Sequence, residues 1–319
     1  MKKLSPFAGV IALAVVFGLA GAASAGRPEG AGGGPPGGGS TSKVSQFSSR
    51  LVDVSCAANT ESEPKRNCEV PDNTGEINSQ GFWKVTTRVP AGSGPAYAIC
   101  LDAVEAPEDT PFRLETLSAG DLFEGFDGIY AGAAGNWRGL SLQIRNGSDC
   151  NVSTVVLQES GLSLRSELKV GEEASTFTSP FVVPNCDPDP CEVTDSYGLI
   201  TNDSDWVVLT DGLNRGTKYQ VCVDAFIAPE LVSPLPFRLA SRSAQKKGTF
   251  FASGNMLDKY DFIAGHWVGL SLQIYLQNNT DFCDGGFVQE TGIHIAVPPG
   301  KPQAGQSKGG QGASCSLLG

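Results

Sequence analysis

Apolar and polar residues alternate one for one over short stretches of this chain. Leu140, Leu142 and Ile144 fall on one side of their segment, and Ser141 and Gln143 on the other; Leu270, Leu272 and Ile274 repeat the pattern. Tyr97, Ile99 and Leu101 alternate with Ala98, Cys100 and Asp102, and Tyr219, Val221 and Val223 do the same. A period of two is the signature of β-strands with one face toward a core. Clusters rich in Gly, Pro, Asn and Asp separate these stretches, at 91–95, 146–149, 211–216 and 277–280, where a chain turns most easily. The pattern predicts an all-β protein of antiparallel sandwiches, immunoglobulin-like or jelly-roll-like in outline.

The alternating stretches come in two sets. Cys68-Glu69-Val70-x-Asp72 recurs as Cys191-Glu192-Val193-x-Asp195, and Trp83 as Trp206. Tyr97-x-x-Cys100-x-Asp102-Ala103 recurs as Tyr219-x-x-Cys222-x-Asp224-Ala225, and Pro111-Phe-Arg113-Leu114 as Pro236-Phe-Arg238-Leu239. Trp137-x-Gly139-Leu-Ser-Leu-Gln-Ile144 matches Trp267-x-Gly269-Leu-Ser-Leu-Gln-Ile274. Cys150 matches Cys283, and Gln158-Glu159-x-Gly161 matches Gln289-Glu290-x-Gly292. Blocks kept in one order imply a duplicated module. The expected organisation is a first β-sandwich over 43–165, a short polar linker over 166–179 and a second sandwich over 180–297.

The ends read differently. Lys2 and Lys3, an apolar run from Phe7 to about Ala20, and Ala23-Ser24-Ala25 form the pattern of a cleaved signal peptide over 1–25. Residues 26–42 are a Gly/Pro-rich spacer, and 298–319 a Gly-, Pro- and Lys-rich tail; neither holds enough apolar residues to bury a core. No second apolar stretch is long enough to span a bilayer, so the mature chain is expected to carry no membrane span. The expected location is outside the cytoplasm: extracellular, cell surface or periplasm.

Export changes the reading of the nine cysteines. There is no CxxC pair and there are only two histidines, His266 and His294, which disfavours a metal–thiolate site. Disulfides fit an oxidising compartment. Four cysteines per copy allow three connectivities, and equivalent positions should pair equivalently. We expect Cys56–Cys68 with Cys100–Cys150, and Cys186–Cys191 with Cys222–Cys283. Cys315 is left over, as a free thiol or an intermolecular bond.

Candidate chemistry is sparse. Trp83, Trp137, Trp206 and Trp267 fit core packing better than a stacking platform for sugars, since equivalent positions carry them in both copies. Asp102 and Asp224 are read as cross-strand ion-pair partners of Arg113 and Arg238 across a hairpin. The acids Asp121, Glu124 and Asp127, Asp187 with Asp189, and Asp203 with Asp205 lack calcium-loop spacing, and of these only Asp127 has a counterpart, Asp261. Ser141 sits in a strand pattern rather than a nucleophile elbow, and two unlinked histidines offer no triad. Asn146, Asn151, Asn202 and Asn278 begin N-x-S/T sequons in expected loops. No catalytic residue, metal ligand or cofactor site is assigned.

A formal charge of −11 disfavours nucleic acid as a partner, because phosphates repel an acidic surface. The sequence therefore leads to a non-enzymatic structural or interaction protein, such as a surface-layer, fibre or adhesive component, that self-assembles or meets a cell-surface or polysaccharide partner. The alternative is a pair of carbohydrate-binding modules with sites in the non-matching loops. A secreted hydrolase ranks third.

Overall fold

The computed structural model describes residues 44–296 except 59–66, 88–95, 108, 119–125, 130–134, 152–153, 166–173, 185, 187–190, 230–231, 233–234, 258–263 and 278–282. In the first half the strands are β1 (Gln46–Asp53), β2 (Glu69–Asn78), β3 (Phe82–Thr86), β4 (Ala96–Glu105), β5 (Phe112–Ser118), β6 (Phe126–Ile129), β7 (Gly135–Asn146) and β8 (Val156–Leu164). One helical turn, α1 (Val54–Ala58), follows β1, and the Asp53 carboxylate caps it by accepting the Cys56 amide at 3.1 Å. In the second half come β9 (Thr176–Ser179), β10 (Phe181–Val182), β11 (Tyr197–Thr201), β12 (Asp205–Thr210), β13 (Lys218–Asp224), β14 (Phe237–Ser243), β15 (Phe250–Asn255), β16 (Gly265–Val268), β17 (Ser271–Leu276) and β18 (Phe287–Ile295). All the ladders are antiparallel and join into a closed, barrel-like system.

The two motif sets build matching ladders. β5–β4–β7–β8 follow one another in the first half, and β14–β13–β17–β18 in the second. Cys100 lies opposite Arg113 and Gln143; Cys222 lies opposite Arg238 and Gln273. Even a register shift recurs, at Ile99/Cys100 and at Val221/Cys222. Cis peptides precede Pro111 and Pro236, and both Asp72 and Asp195 have positive φ. Ladder register also corrects one pairing of acids. Asp127 lies opposite Lys84 and Ser253 opposite Val207, so the residue matching Asp127 is Ser253 rather than Asp261.

Three seams tie the halves together. A continuous row of ladders runs β6–β3–β2–β1–β9–β11–β12–β15. At its centre Ser48 pairs with Thr178, and Phe47 meets Phe177 edge to face at 5.7 Å. The other two seams mirror each other. β8 pairs with β16, placing Gly161 opposite Val268 and Ser163 opposite His266; β18 pairs with β7, placing Gly292 opposite Arg138 and His294 opposite Asn136. These glycines let the strands close. A Cβ on Gly161 would lie 2.2 Å from the Trp267 carbonyl oxygen, and one on Gly292 2.2 Å from that of Trp137. Residues 176–179, expected as the end of the linker, are therefore strand β9. Four residues are too few to display an alternation, yet Phe177 is buried in the core.

The main apolar cluster takes residues from both halves, and two small clusters lie around Cys68 and around Cys100 with Cys150. Trp137 and Trp267 are fully enclosed, and Trp83 and Trp206 nearly so. Among the described residues no helix is long and apolar enough to cross a membrane.

Candidate functional site

Two matching networks of buried polar residues stand out on the inner strands. β7 is buried along almost its whole length, so Ser141 and Gln143 are as enclosed as the leucines that flank them. What they meet is Glu159 of β8. Ser141 Oγ donates to its carboxylate at 2.7 Å and Gln143 Nε2 at 2.9 Å. The second half repeats this. Ser271 Oγ donates to Glu290 at 2.5 Å and Gln273 Nε2 at 3.0 Å. Each glutamine also reaches the matched aspartate on the neighbouring strand, Gln143 to Asp102 at 3.1 Å and Gln273 to Asp224 at 3.4 Å.

Charge compensation differs between the copies. In the first, Arg145 Nε donates to Gln143 Oε1 at 2.8 Å, its Nη1 to the carbonyls of Asn151 and Thr154, and its Nη2 lies 3.7 Å from Asp102. In the second the matching position is Tyr275, whose hydroxyl donates to Gln273 Oε1 at 2.9 Å. The cation for Glu290 comes from the other half: Arg138 Nη1 donates to it at 3.2 Å across the β7–β18 seam. Arg138 also pairs with the exposed Glu105 and stacks on Phe287 at 5.3 Å.

Burial pushes both glutamates above the usual carboxylate range, against the opposing pull of their serine and glutamine donors. It raises Asp224 as well. The Tyr275 hydroxyl is pushed up to about 12, by burial first and then by the nearby Glu290 and Asp224 carboxylates. The chemistry of these networks is satisfaction of buried polar atoms. Each carboxylate accepts from neighbouring strands, which locks their relative register.

No family model, curated protein or solved structure matches this chain. The residues themselves carry the functional argument.

The cysteines come together as two local and two long-range pairs. Cys56 and Cys68 have Cα atoms 5.6 Å apart and Cys186 and Cys191 5.5 Å, while Cys100–Cys150 and Cys222–Cys283 lie at 5.8 and 6.3 Å. Each long-range pair ties the central strand of its half to the segment after the Leu-Ser-Leu-Gln-Ile strand. Cys315 lies outside the described residues.

Other expected partners separate. Asp102 and Arg113 do not pair, although they lie on the two strands of one hairpin. The ladder puts Cys100, not Asp102, opposite Arg113, whose Nη1 donates to the Ser148 carbonyl at 3.1 Å. The carboxylate of Asp102 turns to β7 instead. In the second copy Asp224 accepts from Gln273 and from the Ala225 amide, with Cys222 opposite Arg238. Asp203 and Asp205 serve the β11–β12 turn, where Asn255 Nδ2 donates to the Asp203 carbonyl and the Asp205 carboxylate. Among the described residues no group of three acids, histidines or cysteines is placed to hold a metal. Asp121, Glu124, Asp187, Asp189, Asp261 and Asn278 lie outside the described residues, as does the side chain of Asp127. Asn202 is fully buried and accepts the Ser175 amide through Oδ1, so its sequon cannot carry a glycan in the folded protein.

His266 and His294 sit in the two mirrored seams. His294 Nδ1 meets Asn136 Oδ1 at 2.9 Å. His266 Nδ1 meets Ser163 Oγ at 2.8 Å and its Nε2 lies 3.3 Å from Cys68 Sγ. Beside them Glu69 accepts the Ser163 amide at 3.0 Å and the Ser175 hydroxyl, as Glu192 accepts the His294 amide at 3.0 Å. Reading the sequence alone missed Glu159 and Glu290. The signal was present: a glutamate kept at one position in both copies, within a strand that is otherwise apolar or small.

Proposed function

We propose that this chain is a secreted, non-enzymatic structural or interaction protein, a surface-layer, fibre or adhesive component. In this reading it consists of two tandem disulfide-stapled β-sandwich modules that arose by duplication. The observation that carries the reading is the unbroken antiparallel ladder through both halves, with a cysteine pair at disulfide distance at two places in each. Such a body resists extension and proteolysis, and its cysteine pairs belong in an oxidising compartment. Its duplicated polar residues are engaged with one another inside the sheets, as expected of a scaffold. Self-assembly, or contact with a cell-surface polysaccharide, is the role that follows. Cys315 supplies an intermolecular bond between neighbours.

Electron microscopy of protein purified from its native host, with non-reducing electrophoresis beside it, tests this. Ordered polymers, with covalent multimers that Cys315→Ser abolishes, are the expected outcome. Monodisperse monomers at every concentration would remove the assembly reading, and turnover of ester, peptide or glycoside substrates would remove the non-enzymatic one.

A second reading, carbohydrate binding, has one observation of its own. Tyr197, Leu209 and Phe251 form one cross-strand row on β11, β12 and β15, and both rings are well exposed. Two strand steps separate the rings by about 10 Å, a spacing over which an extended sugar chain can stack. The first half has Thr74 and Thr86 at the positions matching Tyr197 and Leu209. A glycan array with a Tyr197→Ala, Phe251→Ala control separates the two readings.

A further inference from the structure

The local cysteine pairs of the two halves differ in one neighbour. We propose that Cys56–Cys68 is a thiol-exchange site, in which a low-molecular-weight thiol attacks Cys56 and His266 stabilises Cys68 as the departing thiolate. The observation is the imidazole edge 3.3 Å from Cys68 Sγ, held from behind by Ser163. In this proposal the imidazole is the Nε2–H tautomer: Ser163 Oγ, which accepts the Cys68 amide at 3.1 Å, gives its own hydrogen to His266 Nδ1, and the ring proton on Nε2 faces the sulfur.

Access is directional. Cys56, on the single turn α1, is partly exposed, whereas Cys68 is 3 % exposed and His266 equally enclosed. The incoming thiolate forms its bond to Cys56 Sγ. The Cys56–Cys68 bond breaks with its electron pair on Cys68 Sγ, where the Nε2–H donates to it. The proton lost by the attacking thiol reaches that sulfur through solvent, which leaves a mixed disulfide on Cys56 and a thiol on Cys68. A second thiol displaces Cys56 and carries away the oxidised small disulfide, so two thiols are oxidised and one protein disulfide reduced. Exchange is faster when the departing sulfur is the better stabilised one. Arg165, whose charge reaches both His266 and Glu69, adds to that stabilisation; the Glu69 carboxylate opposes it but is engaged by Ser163 and Ser175.

The second half provides an internal control. The residue matching His266 is Asn136, an amide engaged with His294 in place of an imidazole, and Cys186–Cys191 closes a tighter loop. The site also bears on the seam between halves, because Ser163 and His266 form one of its residue pairs.

The test exposes the folded protein to graded glutathione, quenches with iodoacetamide and maps the peptides. Cys56–Cys68 should open first of the four pairs, with the glutathione adduct on Cys56. His266→Asn, which installs the residue the other half carries, should slow that opening about tenfold and leave Cys186–Cys191 unchanged. Continued protection of Cys100–Cys150 and Cys222–Cys283 verifies that the variant is folded. Opening no faster than Cys186–Cys191 would overturn the proposal, as would an unchanged rate in folded His266→Asn. Should the variant not fold, the wild-type adduct decides: an adduct on Cys68 overturns the proposal, and one on Cys56 in the first pair to open sustains it.

Discussion

Glu159 and Glu290 occupy the same position on the same ladder, accept the same two kinds of donor and are both enclosed, yet only one depends on the other half of the molecule. Glu159 accepts from Ser141 and Gln143 of its own half, and the nearby Arg145 donates to Gln143 and reaches the carboxylate through its charge. Glu290 receives its guanidinium from Arg138, across a seam. The two halves share a backbone plan but not an electrostatic one. A buried carboxylate is costly unless hydrogen-bonded or paired. The second half meets that demand with a residue supplied by the first, so the halves are not interchangeable.

The largest expected difference lies in covalent closure. Replacing Cys222 and Cys283 by serine opens a loop of 61 residues and should cost about 4 kcal/mol, whereas opening the 5-residue Cys186–Cys191 loop should cost about 2. Urea titration of both variants measures it. Equal losses would show that the loops do not act through the entropy of the unfolded chain.

Next comes the cation itself. Arg138→Met should cost about 3 kcal/mol near pH 8, because it leaves the Glu290 charge buried without its partner. Adding Glu290→Gln should recover most of that loss. Arg145→Met should cost about 1–2 kcal/mol, since its ion partner Asp102 is partly solvated, and Glu159→Gln should recover only a small part of it. A double-mutant cycle without coupling at Arg138–Glu290 would erase the asymmetry.

Acid sharpens the comparison further. Burial, with the Arg165 charge, pulls the folded-state pKa of His266 from 6.5 down to about 4. Its neutral form is favoured by folding, so its contribution is present above pH 6.5 and is lost as pH falls toward 4. Between pH 6.5 and 4.5 the loss amounts to about 2 kcal/mol. Glu159 and Glu290, raised by burial, act in the opposite sense: their contribution grows as pH falls through their folded values toward 4.5. Urea midpoints across this range should therefore flatten in His266→Asn and steepen in Glu159→Gln with Glu290→Gln.

The smallest effect lies at the centre of the long row. A cycle of Phe47→Leu and Phe177→Leu should show coupling of about 1 kcal/mol, because the rings meet edge to face. Zero coupling would make that seam a matter of area alone.

The all-β, antiparallel character and several strand positions were legible because a period of two survives in short segments, as at Leu140–Ile144 and Leu270–Ile274. The seams were not, because a strand that pairs with a distant one has the same alternation as a strand that pairs with its neighbour. The Asp102–Arg113 pairing failed because the hairpin register differs by two residues from the expected one, which the sequence does not mark. Ser141 and Gln143 were legible as a polar stripe, but only the strand beside them reveals that the stripe is enclosed around a carboxylate. Asn202 looked like a loop residue, and it is a turn residue whose side chain is folded inward.

The mirrored seams also dictate a timetable. Asn136 waits for His294, and Ser163 for His266, so β7 and β8 are made long before the strands that finish them. During synthesis the first half therefore presents two unpaired strand edges, a state prone to pairing with the wrong chain. Contacts so remote along the chain also slow folding. The protein needs its first half kept apart from other copies until its own C-terminal strands arrive.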